Sequence, residues 1–432
     1  MAEVWDVAVI GAGMAGLSAA RALAEAGKSV LVLEANDRIG GRVLTVSTPR
    51  SPLRVELGAE FVHGEPKPTL DLCREAGIEL LPIADRHFNK RGRELVEAMN
   101  PWQPFERVLN ELDEESPDVT AAAFLEQHAI DAQTAERFRQ LVEGFEAAPL
   151  AEVGIRSLAA EASALATNDR QFRVKGGYAR LAEYQRARAE QRGVRLRLEA
   201  PVEQVIWRDG GPVTLHLETG GVPLAARACV VAVPLGVLQA EGRAARPHFE
   251  PDVLPWRAQL KRLGVGHACR VVFEFAAGCG IEGAPHSAFI HHPLTLFETF
   301  WSEERDGRTL WTTWAGGPKA EELARESAAQ RERLALGALA MLFDLPEATL
   351  AAQLQAVHHH DFSSDPRARG AYSFCRPDGA NASQSLSAPL GNTLFLAGEA
   401  TDHEYPGTVA GAIASGRRAA AQVLQALTGS SA

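Results

Sequence analysis

Six residues near the N-terminus, Gly11-Ala12-Gly13-Met14-Ala15-Gly16, have the GxGxxG spacing that lets a backbone turn tightly and approach a pyrophosphate. A helix opening at such a turn aims free N–H groups and the positive end of its dipole at the anion. Glu34 follows 18 residues after Gly16. At the end of a second strand, its carboxylate can accept both hydroxyls of an adenosine ribose and would repel a 2′-phosphate. The chemistry implied is dinucleotide binding. Further on, Gly40 and Gly41 let the chain pass close to an extended cofactor, and Arg42 can make paired hydrogen bonds to phosphate oxygens.

These residues need a strand, a tight turn, a helix and a second strand to hold them. Residues 4 to 10 read as a short buried strand, an Ala/Leu-rich helix ends near Gly27, and Ser29 to Glu34 reads as the next strand. This order opens a doubly wound parallel sheet, so the expected fold class is α/β, Rossmann-like, with a discontinuous α+β substrate-binding domain. The pattern turns helical from about Pro68 to Leu165, with runs at Pro104 to Leu112 and Thr134 to Phe145. Strand-like alternation returns at Val194 to Leu198, Pro201 to Trp207, Val213 to Glu218 and Ala228 to Val233. A second insertion is expected to carry strands at Ala268 to Phe275, Ser287 to His291, Thr295 to Trp301 and Thr309 to Ala315, then a helix from Lys319 to Phe343. The expected division is a cofactor domain over 1–67, 172–250 and 365–432 and a substrate domain over 68–171 and 251–364.

Composition agrees with a globular chain of more than one core: 432 residues exceed the ~250–300 at which one core usually stops growing. The formal charge of -11, without a block of Lys and Arg, gives nucleic acid no support. No apolar stretch reaches the ~18 residues of a membrane span, so no membrane partner is expected. The first strand starts too close to Met1 for a secretory leader. The five cysteines, Cys73, Cys229, Cys269, Cys279 and Cys375, form no CxxC pair, and the expected location is the cytoplasm. A monomer or homodimer is expected. His358-His359-His360 reads as structural rather than as a metal cluster, because neighbours on a strand face opposite ways. No metal is expected.

The residues after the second strand, Glu34-Ala35-Asn36-Asp37-Arg38-Ile39-Gly40-Gly41-Arg42, resemble the extension found in flavoproteins of the amine oxidase and phytoene desaturase group. The C-terminal stretch agrees. Leu394 to Thr401, containing Gly398 and Glu399, and Tyr405 to Gly416, containing Gly407, Thr408 and Val409, resemble the second flavin signature of the flavin amine oxidase superfamily. Leu57-Gly58-Ala59-Glu60-Phe61-Val62-His63-Gly64 resembles a flavin-adjacent loop, Lys175 to Tyr178 a loop before the cofactor domain resumes, and Val202 a strand residue at adenine. The resemblance implies FAD as cofactor, Glu399 at the ribityl or diphosphate, Val409 near the flavin ring, and a helix dipole from Thr408 facing it.

The same resemblance implies hydride transfer from the carbon beside an amine nitrogen to flavin N5, then hydrolysis of the imine, with dioxygen regenerating the flavin and yielding peroxide. Ala371 stands where monoamine oxidases carry the cysteine bonded to flavin, so FAD is expected to be non-covalent. Tyr372 remains as an aromatic wall or as core packing, and Thr408 replaces the second aromatic. His63 matches a histidine of animal polyamine oxidases, where a neutral imidazole accepts a hydrogen bond from an amine or relays its proton; the alternative is a structural histidine. Arg270 stands where many relatives carry a lysine holding water at N5. Arginine cannot readily become neutral, which puts rapid oxygen reduction and ordinary amine oxidation in doubt; a surface or ion-paired arginine is the other reading. Phe297, Phe300, Trp301, Trp311 and Trp314 either line the substrate cavity or pack the core. The expected substrate is a small amine, a polyamine among the candidates. A desaturase-like dehydrogenase on a non-amine substrate and a catalytically silent flavoprotein are the competing classes.

Overall fold

The computed structural model describes residues 4–48, 51–113, 117–165, 170–242, 247–276 and 288–429. Cys279, Ser287, Ser430 and Ser431 lie outside these residues. The first strand, Val4–Ile10, is followed by the helix Met14–Glu25 and the strand Val30–Leu33, in the expected order. Val4–Ile10 pairs in parallel with Val30–Leu33 on one side and with Leu224–Val231 on the other. The strands of this sheet read Val-rich and are buried on both faces, as parallel sheets require. The full eight-stranded sheet draws on Arg195–Arg197, Val202–Ile206, Val213–Leu217, His248–Glu250 and Leu394–Leu396 as well. It is α/β and Rossmann-like. One face packs against Met14–Glu25, Ala179–Glu190 and Val409–Gly429, and the other is covered by the apolar residues around Trp256 and Leu386.

A second, seven-stranded sheet runs in the order Leu354–His359, Ala268–Ala276, Arg308–Gly316, Thr299–Arg305, Phe289–His291, His87–Arg91 and Glu94–Glu97. Its last two strands correct the reading of 68–165 as helical. Leu80–Ile83, His87–Arg91 and Glu94–Glu97 are all strands. They are short, the last two carry charges and the first a proline, and pairing with partners far along the chain overrides their weak local pattern: Phe289 aligns with His87 and Leu80 with Val174. The helix expected over Lys319 to Phe343 is two helices, Gly317–Ala324 and Ala328–Leu342. Ser327 caps the second by accepting from Gln330 N, a stop-and-start signal inside an otherwise helical run. No single helix among the described residues is long and apolar enough to cross a membrane.

Candidate active site

One cavity of about 1220 Å³ runs between the two sheets. Drug-sized pockets span roughly 300–1,000 Å³, so this one has room for a cofactor and a substrate together. Of the expected cofactor residues it is lined by Gly11, Gly13, Met14, Ala15, Glu34, Ala35, Gly40, Gly41, Arg42, Gly58, Ala59, Glu60, Phe61, Val202, Gly398, Glu399, Gly407, Thr408 and Val409. Gly16 does not line it. A Cβ at Gly16 would stand 1.9 Å from Gly11 O, so this glycine lets the helix close onto the turn instead.

The turn itself needs Gly11, whose φ is +101°, in the left-handed region that other residues avoid. Ala12 N then donates to Glu34 Oε2 at 2.6 Å, and Asn36 N donates to Oε1 at 2.9 Å. The buried acid thus ties the turn to the end of the second strand. Gly40 N donates to Ala12 O at 2.9 Å, which lays the Gly40-Gly41 loop beside the turn. Arg42 Nη1 donates to Ala371 O at 2.5 Å and to Glu399 Oε1 at 2.8 Å. Glu399 Oε2 in turn accepts from Ser373 Oγ at 2.6 Å and Gly407 N at 3.1 Å. Glu399 therefore also orients Arg42 and joins three distant segments of the wall.

The residues fit FAD. Gly11, Gly13, Met14 and Ala15 bring backbone and the start of a helix to the cavity, and Gly13 has no heavy atom nearer than Gly40 O, at 4.0 Å, to a Cβ built on it. The first N–H groups of Met14–Glu25 have no partner inside the helix, as at every helix start, and so can receive a diphosphate.

A second set of residues gathers around Arg270. Its Nη1 donates to Glu56 O and Gly58 O, each at 3.0 Å, and lies 3.3 Å from Glu60 Oε2. The guanidinium stacks between Trp301 and Trp314, 5.3 and 5.4 Å from their ring centres. Glu60 Oε1 accepts from Arg173 Nε at 2.8 Å and from Trp301 Nε1 at 3.2 Å. Burial acts to raise the Glu60 pKa, but Arg173 and Arg270 outweigh it and hold the carboxyl below its ordinary value. Arg270 is thus both cavity-lining and ion-paired, which joins the two readings of it. Its Nε is buried without a partner.

His63, at the end of the strand Phe61–His63, faces the cavity edge-on to Phe145, with ring centres 5.4 Å apart. Burial lowers its pKa to about 4, against the opposing charge of Asp85, so the imidazole is neutral at pH 7. Tyr372 also lines the cavity and its hydroxyl donates to Phe145 O. Burial pushes its phenol well above the usual range. The Thr408 hydroxyl donates to Tyr405 O at 2.8 Å and accepts from Gly411 N at 3.1 Å. It caps the helix Val409–Gly429, a role in the backbone beside its place on the wall.

Of the five aromatics, Trp301 and Trp314 line the cavity, while Phe297, Phe300 and Trp311 are core. Strand alternation explains the split: Phe300 and Trp301, like Trp311 and Trp314, fall on opposite faces of their strands. The three consecutive histidines go to separate acids, His358 to Glu274, His359 to Glu332 and His360 to Asp365. No cluster able to hold a metal occurs among the described residues.

Sequence reading missed several wall residues. Glu146 ends a π-helical turn, Val142–Glu146, and hydrogen-bonds Glu161 on the helix Ile155–Leu165. Burial and then the neighbouring acid raise the Glu146 pKa far above the carboxylate range. His87 and His291 on the wall, with Asp85 behind them, form a second polar group. No motif marks either set, although a π turn is itself a frequent marker of functional sites.

Glu56, behind the Arg270 cluster, supplies a pH test. Burial raises its pKa to about 7 against hydrogen bonds from Tyr178 N and Thr45. The folded state thus binds more protons than the unfolded state from about pH 4.5 to 7. By linkage, the contribution of Glu56 to stability is present below that window and is lost as pH rises through it. Glu56→Gln, neutral throughout, is expected to gain about 3 kcal/mol on the wild type between pH 4.5 and 7.5. Urea unfolding of both proteins across that range checks it; a constant difference would refute the shift.

Comparison with known proteins agrees with this architecture. Residues 14–424 match the family model "Flavin containing amine oxidoreductase". Polyamine oxidase 4 of Oryza sativa subsp. japonica is 28% identical over 460 residues, covering 96% of this chain and 88% of that protein. A putrescine oxidase solved with putrescine bound superposes with a TM-score of 0.81 at 21% identity, over 98% of this chain and 99% of that one. Cyclohexylamine oxidase from Brevibacterium oxydans IH-35A gives 0.80 at 24% identity, over 99% and 100%. Both solved structures speak for the fold. With the match spanning nearly its whole length, the chain belongs to the flavin-containing amine oxidoreductase family.

Proposed function

We propose that this protein oxidises a primary or secondary amine, with polyamines among the candidates, and passes the electrons to dioxygen. The observation that carries the reading is the wall made by His63, Phe61, Tyr372, Trp301 and Trp314 in the same cavity as the FAD-binding residues. FAD, when bound, accepts the hydride from the carbon beside the amine nitrogen, and water hydrolyses the resulting imine to an aldehyde or ketone. The protein's share is to orient the amine, keep it unprotonated and limit water. Neutral His63 can accept a hydrogen bond from the amine without repelling a cation. The polyamine and putrescine oxidases among its relatives support amines as the substrate class.

An anaerobic spectral screen of the flavoprotein with monoamines, diamines and amino acids tests this. Bleaching by one amine class, reversed by air with peroxide formed, is expected; no bleaching by any amine would sink the reading.

A second reading is favoured by Arg270. Held by Glu60 and two carbonyls between two indoles, it keeps a fixed cation where a lysine could release its proton. That favours slow oxygen use, as in a dehydrogenase, and with it the alternative of a non-amine substrate. Arg270→Lys should speed reoxidation of the reduced flavin by air in stopped flow under the oxygen-poor reading, and an unchanged rate would remove Arg270 from that role.

A further inference from the structure

We propose that Thr299, His291, His87 and Asp85 form a proton relay that takes a proton from a substrate ammonium at the cavity wall and holds it on His87, against Asp85 behind the wall. The proposal rests on the amine reading above and adds to it the route by which the amine becomes reactive.

The four groups form one hydrogen-bonded chain. Thr299 Oγ1 is 3.3 Å from His291 Nδ1, His291 Nε2 is 2.8 Å from His87 Nδ1, and His87 Nε2 is 3.0 Å from Asp85 Oδ1. Thr299, His291 and His87 line the cavity, whereas Asp85 stands behind it with its side chain 24% exposed. The chain therefore leads out of the cavity. The parallel pairing of Phe289–His291 with His87–Arg91 holds the two imidazoles edge to edge, their centres 5.1 Å and their planes 9° apart.

The direction of the chain follows from its ends. Asp85 Oδ1 also accepts from Gln171 Nε2 at 2.8 Å, so this oxygen is an acceptor and His87 donates to it through Nε2. In the resting state His87 Nδ1 then accepts from His291 Nε2, and His291 Nδ1 accepts from the Thr299 hydroxyl. Burial and then His87 lower the His291 pKa to about 3, which keeps it neutral and able to take only one of these two orders. With its proton turned to His291, the Thr299 oxygen offers lone pairs to a donor in the cavity.

One proton reverses the chain. An ammonium N–H passes to Thr299 Oγ1 as the Thr299 proton moves to His291 Nδ1, and the His291 Nε2 proton moves to His87 Nδ1. Each N–H or O–H bond broken is matched by one formed. The net result is a neutral amine and a His87 imidazolium paired with Asp85. The other titratable groups around the relay do not supply this path. His63, which faces Asp85, is neutral and has no hydrogen bond to the chain. Glu298, beside Thr299, is held by Lys319 at 2.6 Å, the Arg86–Glu97 pair on the neighbouring hairpin is internally compensated, and His292 has its pKa lowered by burial.

The test is the pH profile of anaerobic flavin reduction, read as kred/Kd with putrescine and with benzylamine. Amines titrate near pH 10. With the relay, the ammonium is the productive form and the wild-type profile should be flat from about pH 7 to pH 10. Asp85→Asn and Thr299→Val must wait for free amine from solution and should gain about tenfold per pH unit, meeting the wild type near pH 10. Thr299→Ser should restore the flat profile. Parallel profiles in wild type and both variants would overturn the relay and leave these residues structural.

A second readout needs no turnover. Ring-nitrogen spectra of ¹⁵N-histidine protein should show His87 and His291 both protonated at Nε2 at neutral pH; His291 protonated at Nδ1 would overturn the stated direction. If neither of these two amines bleaches the flavin, the profiles are taken with whichever amine the spectral screen identifies; if no amine bleaches it, the amine reading fails and the proton route with it, while the tautomer spectrum still decides whether the chain is assembled as described.

Discussion

Glu60→Ala is expected to destabilise the protein by about 3–5 kcal/mol, because it strands two buried cations at once. Glu60 bridges Arg173 at 2.8 Å and Arg270 at 3.3 Å, and all three side chains are at most 10% exposed. The attraction between these charges in a poorly solvated site offsets their desolvation only while the set is complete. Against a total stability of ~5–15 kcal/mol for a typical domain, the loss is large. Urea unfolding followed by tryptophan fluorescence measures it. Trp301 reports directly, since its indole N–H donates to the same carboxylate. The double variant Glu60→Ala with Arg270→Met should lose less than the sum of the two single variants, because the second change removes a cation that the first left unpaired. Additive losses, or a Glu60→Ala loss below about 1 kcal/mol, would show that the cluster is solvated.

The second large effect is expected at Gly16. A methyl there would meet Gly11 O at 1.9 Å, Gly11 C at 3.0 Å and Val9 Cγ1 at 3.3 Å. Two of these three atoms are backbone of the turn itself, so relief must come from tilting the helix Met14–Glu25 away from Gly11. Overpacking of this kind costs about 1–3 kcal/mol or more. The functional loss should exceed the stability loss, because the start of that helix is what the diphosphate needs. Gly16→Ala should purify with little flavin, seen in the ratio of visible to ultraviolet absorbance, and should bind added FAD weakly. A fully yellow Gly16→Ala protein would mean that the helix start does not carry the cofactor. Gly16 does not touch the cavity, so the test separates the shape of the turn from direct contact.

What the sequence by itself determined is the chemistry written in contiguous backbone. GxGxxG between a strand and a helix, Glu34 at the end of the next strand, and Gly40-Gly41-Arg42 act through local turns and N–H groups, whose geometry depends on residues within a few positions. The residues expected from these motifs line one cavity for that reason, except Gly16, whose role is packing, and the positions expected from the family resemblance, Gly58 to Phe61, Val202, Gly398, Glu399 and Gly407 to Val409, line the same cavity. The long strands Ala268–Ala276 and Arg308–Gly316 were legible as well, as runs of β-branched and aromatic residues that are buried almost throughout.

Only the tertiary structure decided the rest. Glu60, Arg173 and Arg270 come from three separate elements, and the relay joins residues 85, 87, 291 and 299. Their meeting depends on strand register, in which a one-residue slip would put His87 and His291 on opposite faces of the sheet. The same holds for Trp301 against Phe300, and for the short strands between Leu80 and Glu97, whose pairing comes from partners far along the chain. Charge clusters and relays of this kind carry no periodic signal, since what selects them is the burial and close approach that folding creates.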